Sequence, residues 1–232
     1  MITPKKLPPI PQSNQSGFTI IESLVAIVVV GILTVSIAPV IALSVANRVQ
    51  ARRVEIATEA AQFYIEGVRS GAIDPPTISN TTIDTVAAPP ATGLTCDNRV
   101  YCGTTTELFC IDGDGDGTGC NGSSKDMIIQ AAGYNESVAT DNANKAEEGY
   151  KLGIRVYRAD AFDGNRDLKT GKDGFKVAAA FTGGTGLRPS QAPLVEMTTE
   201  VVTNNTGFRE LCGSIVRAQD PSNDEPDLSN CQ

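Results

Sequence analysis

The sequence predicts an α+β fold: one long N-terminal helix packed on a small antiparallel sheet, with disulfide-bounded loops. Three observations carry this reading. From Ser23 to Ala46 the chain has no charged residue, and helical periodicity continues past that run to about Gly71. Short segments with strand-like alternation then follow, separated by Gly-, Asn- and Asp-rich stretches. All six cysteines, Cys96, Cys102, Cys110, Cys120, Cys212 and Cys231, lie beyond the helix. The expected boundaries are an N-terminal segment over residues 1–17, the long helix over 18–72 and a globular head over 73–232.

The first segment, MITPKKLPPIPQSNQSG, is proline-rich and polar, carries Lys5 and Lys6 without an acid, and has no apolar periodicity. It is expected to be disordered. The uncharged run that follows is about the ~20 residues a helix needs to cross a bilayer. Pro39 lies inside it, denies the Val35 carbonyl its helical donor and should loosen the helix locally. Thr34 and Ser36 stand near enough to compensate the freed carbonyls. Beyond the run, Val45, Val49, Ile56, Ala60, Phe63 and Val68 recur at spacings near three, four and seven, with charged residues between them. That pattern makes the second half amphipathic. Gly71 and Asp74-Pro75-Pro76 end the helix.

A linker rich in Thr, Pro and Ala is read from about Pro75 to Gly93. Strands follow. KLGIRVYR sets Leu152, Ile154 and Val156 on one side; FKVAAAF, Phe175 to Phe181, suits a central strand; LVEMTTEVV sets Val195, Met197, Thr199 and Val201 on one face. A short strand is also expected at Met127 to Ala131. Antiparallel strands covering one face of a long helix give the α+β architecture.

The formal charge is −8. A leader that removed two of the 19 Lys and Arg would leave 17 against 27 Asp and Glu, a net of −10. That balance argues against non-specific nucleic-acid binding, which needs a basic patch. There is no histidine, which excludes Ser-His-Asp and Cys-His catalysis and every His-ligated metal. An even number of cysteines beyond a membrane-competent segment reads as a disulfide set, and no C-x-x-C pair supports zinc. Six cysteines allow 15 connectivities. Proximity favours Cys96–Cys102, Cys110–Cys120 and Cys212–Cys231.

The apolar run opens with Gly17-Phe18 and carries Glu22 near its start. A carboxylate within a bilayer costs about 2.5–3.5 kcal/mol on insertion scales, so it persists where it gains a partner. Gly17, Phe18, Glu22, the apolar run and Pro39, in this register, resemble the processing site of type IV pilins and pseudopilins. The resemblance implies that a prepilin peptidase on the cytoplasmic side cuts between Gly17 and Phe18 and N-methylates Phe18. Glu22 would then pair with the new α-amine of a neighbouring subunit, and a misregistered subunit would leave that charge unpaired. Two simpler readings compete. One is a signal anchor with a chance glutamate. The other is signal-peptidase cleavage after Ser44-Val45-Ala46, releasing a chain that begins at Asn47, although the run exceeds the usual ~7–15-residue apolar region of a signal peptide. Lys5 and Lys6 before the span and Arg48, Arg52 and Arg53 after it do not decide orientation. Outward placement of the head rests on the cleavage motif and the cysteines.

RVQARRVEIATEAAQFYIEGVRSGAI, LFCIDGDGDGTGC, YKLGIRVYRADAF and APLVEMTTE together resemble the cyanobacterial hormogonium polysaccharide secretion pseudopilins. That resemblance implies a non-enzymatic, minor pilin-like subunit of a type IV pilus system supporting polysaccharide export and gliding motility. It also implies a single-pass protein of the cytoplasmic (inner) membrane with its head in the periplasm or on the cell surface. Its partners would be other pilins or pseudopilins, the inner-membrane assembly platform and the prepilin peptidase. Cys212 and Cys231 enclose a segment that resembles the disulfide-bounded loop exposed on type IV pilin filaments. The alternative function is a membrane-anchored or secreted calcium-dependent binding module that does not polymerise.

IDGDGDGTGC carries the one cofactor expectation. Asp112, Asp114, Asp116 and Gly117 match positions 1, 3, 5 and 6 of an EF-hand-type calcium loop. The match then fails, since position 12 is Ser123 rather than the bidentate glutamate. A Cys110–Cys120 bridge would close the loop, contribute about 2–3 kcal/mol and hold three carboxylates together. The competing reading is a solvated glycine-rich turn. Asp163, Asn165 and Asp167 repeat the alternation with Leu168 in the glycine position and read as a turn, as does Gly183-Gly-Thr-Gly186, which lacks a P-loop lysine.

Overall fold

The computed structural model describes residues 17–91, 94, 96–103, 107–120, 122–135, 146–163, 167–173, 190–203, 206–208, 212–213, 215–216 and 231. The chain divides into two compact units, residues 1–46 and 47–232, and helix α1, Ile20–Ser70, contributes residues to each.

In the first unit α1 starts on a side-chain cap. The Glu22 N–H donates to Thr19 Oγ1 at 3.3 Å, which satisfies one of the donors a helix start leaves free. Thr19-Ile-Ile-Glu22 has the spacing of a capping box, and Glu22 in the first turn suits the positive end of the helix dipole. From Gly17 to Val45 every residue is exposed, and the most apolar window reaches a mean hydropathy of 2.8. A helix that is apolar all round and uncovered by its own chain fits a membrane-spanning element. Pro39 lies within an unbroken helix. Thr34 Oγ1 and Ser36 Oγ donate to the carbonyls of Val30 and Leu33, each at 2.8 Å, rather than to Val35. These are the short back-bonds that Ser and Thr form within their own helical turn.

In the second unit α1 ends at Ser70 through a Schellman motif. Gly71 adopts φ 75°, its N–H reaches the Val68 carbonyl at 3.2 Å, and the Ala72 N–H reaches the Gly67 carbonyl at 2.9 Å. Ile73 folds back onto Gly67, where a β-carbon would lie 2.3 Å from Ile73 Cδ1. Gly71 thus stops the helix where the sequence places the stop.

The strands are β1 (Ile78–Ser79), β2 (Leu108–Ile111), β3 (Met127–Tyr134), β4 (Tyr150–Arg158) and β5 (Val195–Val201), joined in one five-stranded sheet. β2 pairs antiparallel with the first half of β3, β1 pairs parallel with its end, and β4 and β5 continue antiparallel on the other side. The sheet is therefore mixed rather than wholly antiparallel, because β1 enters directly from the chain leaving α1. β3 is longer than expected. The expected strand at Phe175–Phe181 lies outside the described residues.

One face of the sheet receives α1 through Ala57, Ala60, Ala61, Tyr64, Ile65 and Val68, packed against Phe109, Met127, Ile129, Leu152, Ile154 and Val156. Of the helix residues expected at the core, Ala60 and Val68 are buried and Ile56 is partly buried, whereas Val45, Val49 and Phe63 are exposed. The correction is one of size: alanines let the helix backbone approach the sheet, and the larger residues border that face. Tyr64 is buried because its hydroxyl has a partner, Tyr101 Oη at 2.8 Å, and Tyr101 in turn donates to the Asp74 carbonyl at 2.7 Å. Burial pushes both phenols up, Tyr101 to about 12.

The opposite face is also covered. Cys96–Cys102 and Cys110–Cys120 pack with Ile128, Tyr157, Phe162 and Leu168. The segment read as a linker is the second cover. Ile83, in a single 3-10 turn over Ile83–Thr85, sits above Gly153, where a β-carbon would lie 2.4 Å from Ile83 Cβ. The fully buried Arg155 donates to the carbonyls of Ile83 (2.6 Å) and Val86 (2.8 Å) and to Glu196 (3.1 Å), and Gln130 donates to the Ala87 carbonyl (2.8 Å). Residues 82–87 are thus a strap fastened across the sheet. Their place in a stretch rich in Thr, Pro and Ala hides this because the anchors sit in β3 and β4.

Candidate functional site

Two places gather the residues with chemistry. At the N-terminus, Gly17, Phe18 and Thr19 are non-helical and exposed, and Phe18 keeps 83% of its surface. The helix begins at Ile20, so the Gly17–Phe18 bond lies outside regular structure. A β-carbon on Gly17 would meet nothing within 4 Å. The chain's own packing therefore does not require glycine there. Glu22 is exposed on the first turn, its amide bound to Thr19.

The second place is the loop after β2. Asp112 turns both carboxylate oxygens inward: Oδ1 accepts from the Asp114 and Gly115 amides at 3.2 and 2.6 Å, and Oδ2 from the Gly117 amide at 3.1 Å. Gly115, Gly117 and Gly119 all adopt positive φ, which lets the loop wrap its amides around that carboxylate. Desolvation raises the Asp112 pKa, but these amides outweigh it and hold the group below the usual carboxylate range. Asp114 accepts from Ser123 Oγ at 2.8 Å. Asp116 turns away and accepts from the amide and hydroxyl of Thr118 at 2.8 and 2.7 Å.

Asp126, which the spacing argument missed, takes the place expected of Asp116. Ligand oxygens of Asp112, Asp114 and Asp126 all lie within 4.8 Å of one another. Asp126 precedes β3, is 1% exposed and accepts from the Gly113 amide at 3.1 Å. Desolvation pushes its pKa up, and the charges of Asp114, Asp112 and Asp116 add to that against the Gly113 bond. A buried carboxylate facing two others is a donor set suited to a hard cation. The sequence signal for Asp126 was weak: an acid just before an apolar strand, outside the loop spacing. The cysteines pair as Cys96–Cys102, Cys110–Cys120 and Cys212–Cys231, and the second bridge closes this loop at its base.

Residues 12–38 match the prokaryotic N-terminal methylation motif. The match supports a type IV pilin or pseudopilin, a structural rather than enzymatic family, and implies prepilin peptidase processing and pilin assembly in general terms. With the single N-terminal apolar helix, it fits a membrane-anchored protein. No curated protein and no solved structure matches the chain.

Proposed function

We propose that this chain is a minor pilin-like subunit of a type IV pilus or secretion filament that supports polysaccharide export and gliding motility, as its resemblance to cyanobacterial hormogonium pseudopilins suggests. The methylation motif over residues 12–38, in register with Glu22 at the start of a long uncovered helix, supports the pilin-like part of this reading. In this account the peptidase cuts between Gly17 and Phe18, Phe18 is methylated, and the helix waits in the membrane with the head outside. On assembly Glu22 takes the α-amine of a neighbouring Phe18 as partner, exchanging an unpaired charge in a low-dielectric setting for a paired one.

The cluster of Asp112, Asp114 and Asp126 favours calcium as an accessory ligand of the head. Bound there, a cation would relieve the repulsion among the three carboxylates and stiffen the loop beside the two disulfides. The same cluster suits the alternative, a calcium-dependent binding module that never polymerises.

The test is Glu22→Ala expressed in the native host from the chromosomal locus. The filament reading expects the variant to reach the membrane and be processed, yet to be lost from sheared filaments, with polysaccharide release and gliding reduced. Normal filament incorporation, export and gliding would reject it in favour of an anchor.

A further inference from the structure

The apolar run of α1 ends in a collar of arginines. Arg48, Arg52 and Arg53 follow Ala46 within two helical turns, and no acid stands between Glu22 and Glu55. At about 100° per residue the three positions spread over about 140° of the helix surface. Arg48 and Arg52 are exposed and Arg53 is partly buried. Arg52 is held by Glu55 at 2.7 Å, an exposed pair that gives way readily to another partner. Arg48 and Arg53 have no ion pair and no side-chain hydrogen bond among the described residues.

The chain beyond the collar has the opposite sign. After Arg53 it carries 14 Lys and Arg against 26 Asp and Glu, a net charge of −12. An anionic surface therefore repels the head and attracts only the collar. The collar also stands at the right height. As a helix, the uncharged run from Ser23 to Ala46 rises about 36 Å, against about 30 Å of hydrocarbon and about 40–45 Å with both headgroup layers. Arg48, two residues further on, falls at the level of the headgroups. Arg53 lies about 7.5 Å beyond it and reaches back to them on a long apolar stem. A guanidinium meets a phosphate with two parallel hydrogen bonds and keeps its charge at any physiological pH.

We propose that Arg48 and Arg53 bind the phosphates of anionic lipid headgroups, in the leaflet where the span meets the head, and so set the depth of the anchor. The inference rests on the membrane-anchored reading and goes beyond it in naming the lipid class and the residues that select it. Two observations carry it together: both guanidiniums lack a protein partner, and the charge changes sign directly after them, at Glu55 and Glu59. A span that merely ended on polar residues would need neither.

The test uses the full-length chain reconstituted in vesicles of equal parts phosphatidylglycerol and phosphatidylcholine, with brominated acyl chains on one lipid or the other. The chain has no tryptophan, so Val45→Trp, at an exposed position in the last turns of the run, supplies a single reporter that bromine quenches on contact. Bromine on phosphatidylglycerol should quench more, corresponding to about a fivefold preference over phosphatidylcholine, the effect of one favourably placed arginine. High salt should weaken that preference. Arg48→Gln with Arg53→Gln should bring it to about one, glutamine being a good helix former on this surface. Lys125→Gln with Lys151→Gln removes the same charge from exposed positions of the head and should leave the preference intact. Equal quenching by both lipids in the parent chain, a preference that survives loss of both arginines, or one lost with the two lysines would overturn the proposal. Quenching by neither lipid would place the reporter outside the bilayer and reject the membrane-anchored reading beneath it as well.

Discussion

Replacing Arg155 by methionine isolates what fastens the strap. Methionine keeps most of the stem's volume, so the loss is polar rather than a cavity. Four groups lose a donor at once: the Ile83 and Val86 carbonyls, the Gln130 side-chain oxygen and the Glu196 carboxylate. Each carbonyl left unsatisfied costs about 1 kcal/mol or more. The carboxylate side chain is only 17% exposed and loses its ion pair. Breaking a buried pair from one side costs about 3–5 kcal/mol. Glu196 is partly hydrated, which places the sum nearer the lower figure, about 3 kcal/mol, a large fraction of an ordinary domain's stability. Urea unfolding of the full chain in detergent micelles measures it. Amide exchange supplies a local readout, since the Thr85 and Val86 N–H groups bond the Thr82 and Ile83 carbonyls within the strap. Both amides should exchange faster in Arg155→Met well below the unfolding midpoint. A loss under about 1 kcal/mol with unchanged exchange at residues 83–87 would refute the reasoning and return the segment to the status of a linker.

Two further outcomes follow from single groups. The Tyr150 hydroxyl is buried with no partner among the described residues, and burial pushes its pKa up. Tyr150→Phe should therefore stabilise the chain by about 1 kcal/mol in urea unfolding, whereas a comparable loss would mean that the hydroxyl is bonded after all. Calcium at 100 times its dissociation constant should stabilise the chain by about 2.7 kcal/mol, read as a raised thermal midpoint. Asp126→Asn and Asp112→Asn should abolish that rise and Asp116→Asn should leave it, and an equal loss in all three would contradict the geometry.

Large periodic features were legible in the sequence and small or distant ones were not. The run from Ser23 to Ala46 and the stop at Gly71 needed only local rules of composition and backbone conformation. β4 and β5 showed through Leu152, Ile154, Val156 and Val201, whose alternation survives because one face is apolar. Arg155 defeated the same rule. A charge on the alternate face of a strand reads as solvent-facing, yet here residues 82–87 cover it from a distant part of the chain. Helical spacing included Ala60 and Val68 of the buried face but not Ala57 and Ala61, whose small side chains approach the sheet while Phe63 remains at the edge under Arg99. In the acidic loop the fold keeps Asp112 and Asp114 together, whereas Asp116 bonds locally to Thr118 and stands apart from them. Asp126 joins them only because β3 returns beside β2, a pairing that spacing within the loop does not contain.

The most direct test of the account is the intact mass and N-terminal sequence of the membrane-extracted protein from its native host, compared with a strain lacking prepilin peptidase. The account predicts a chain that begins at methylated Phe18 in the first strain and retains residues 1–17 in the second. A chain beginning at Asn47, or one unchanged from Met1 in both strains, would contradict it.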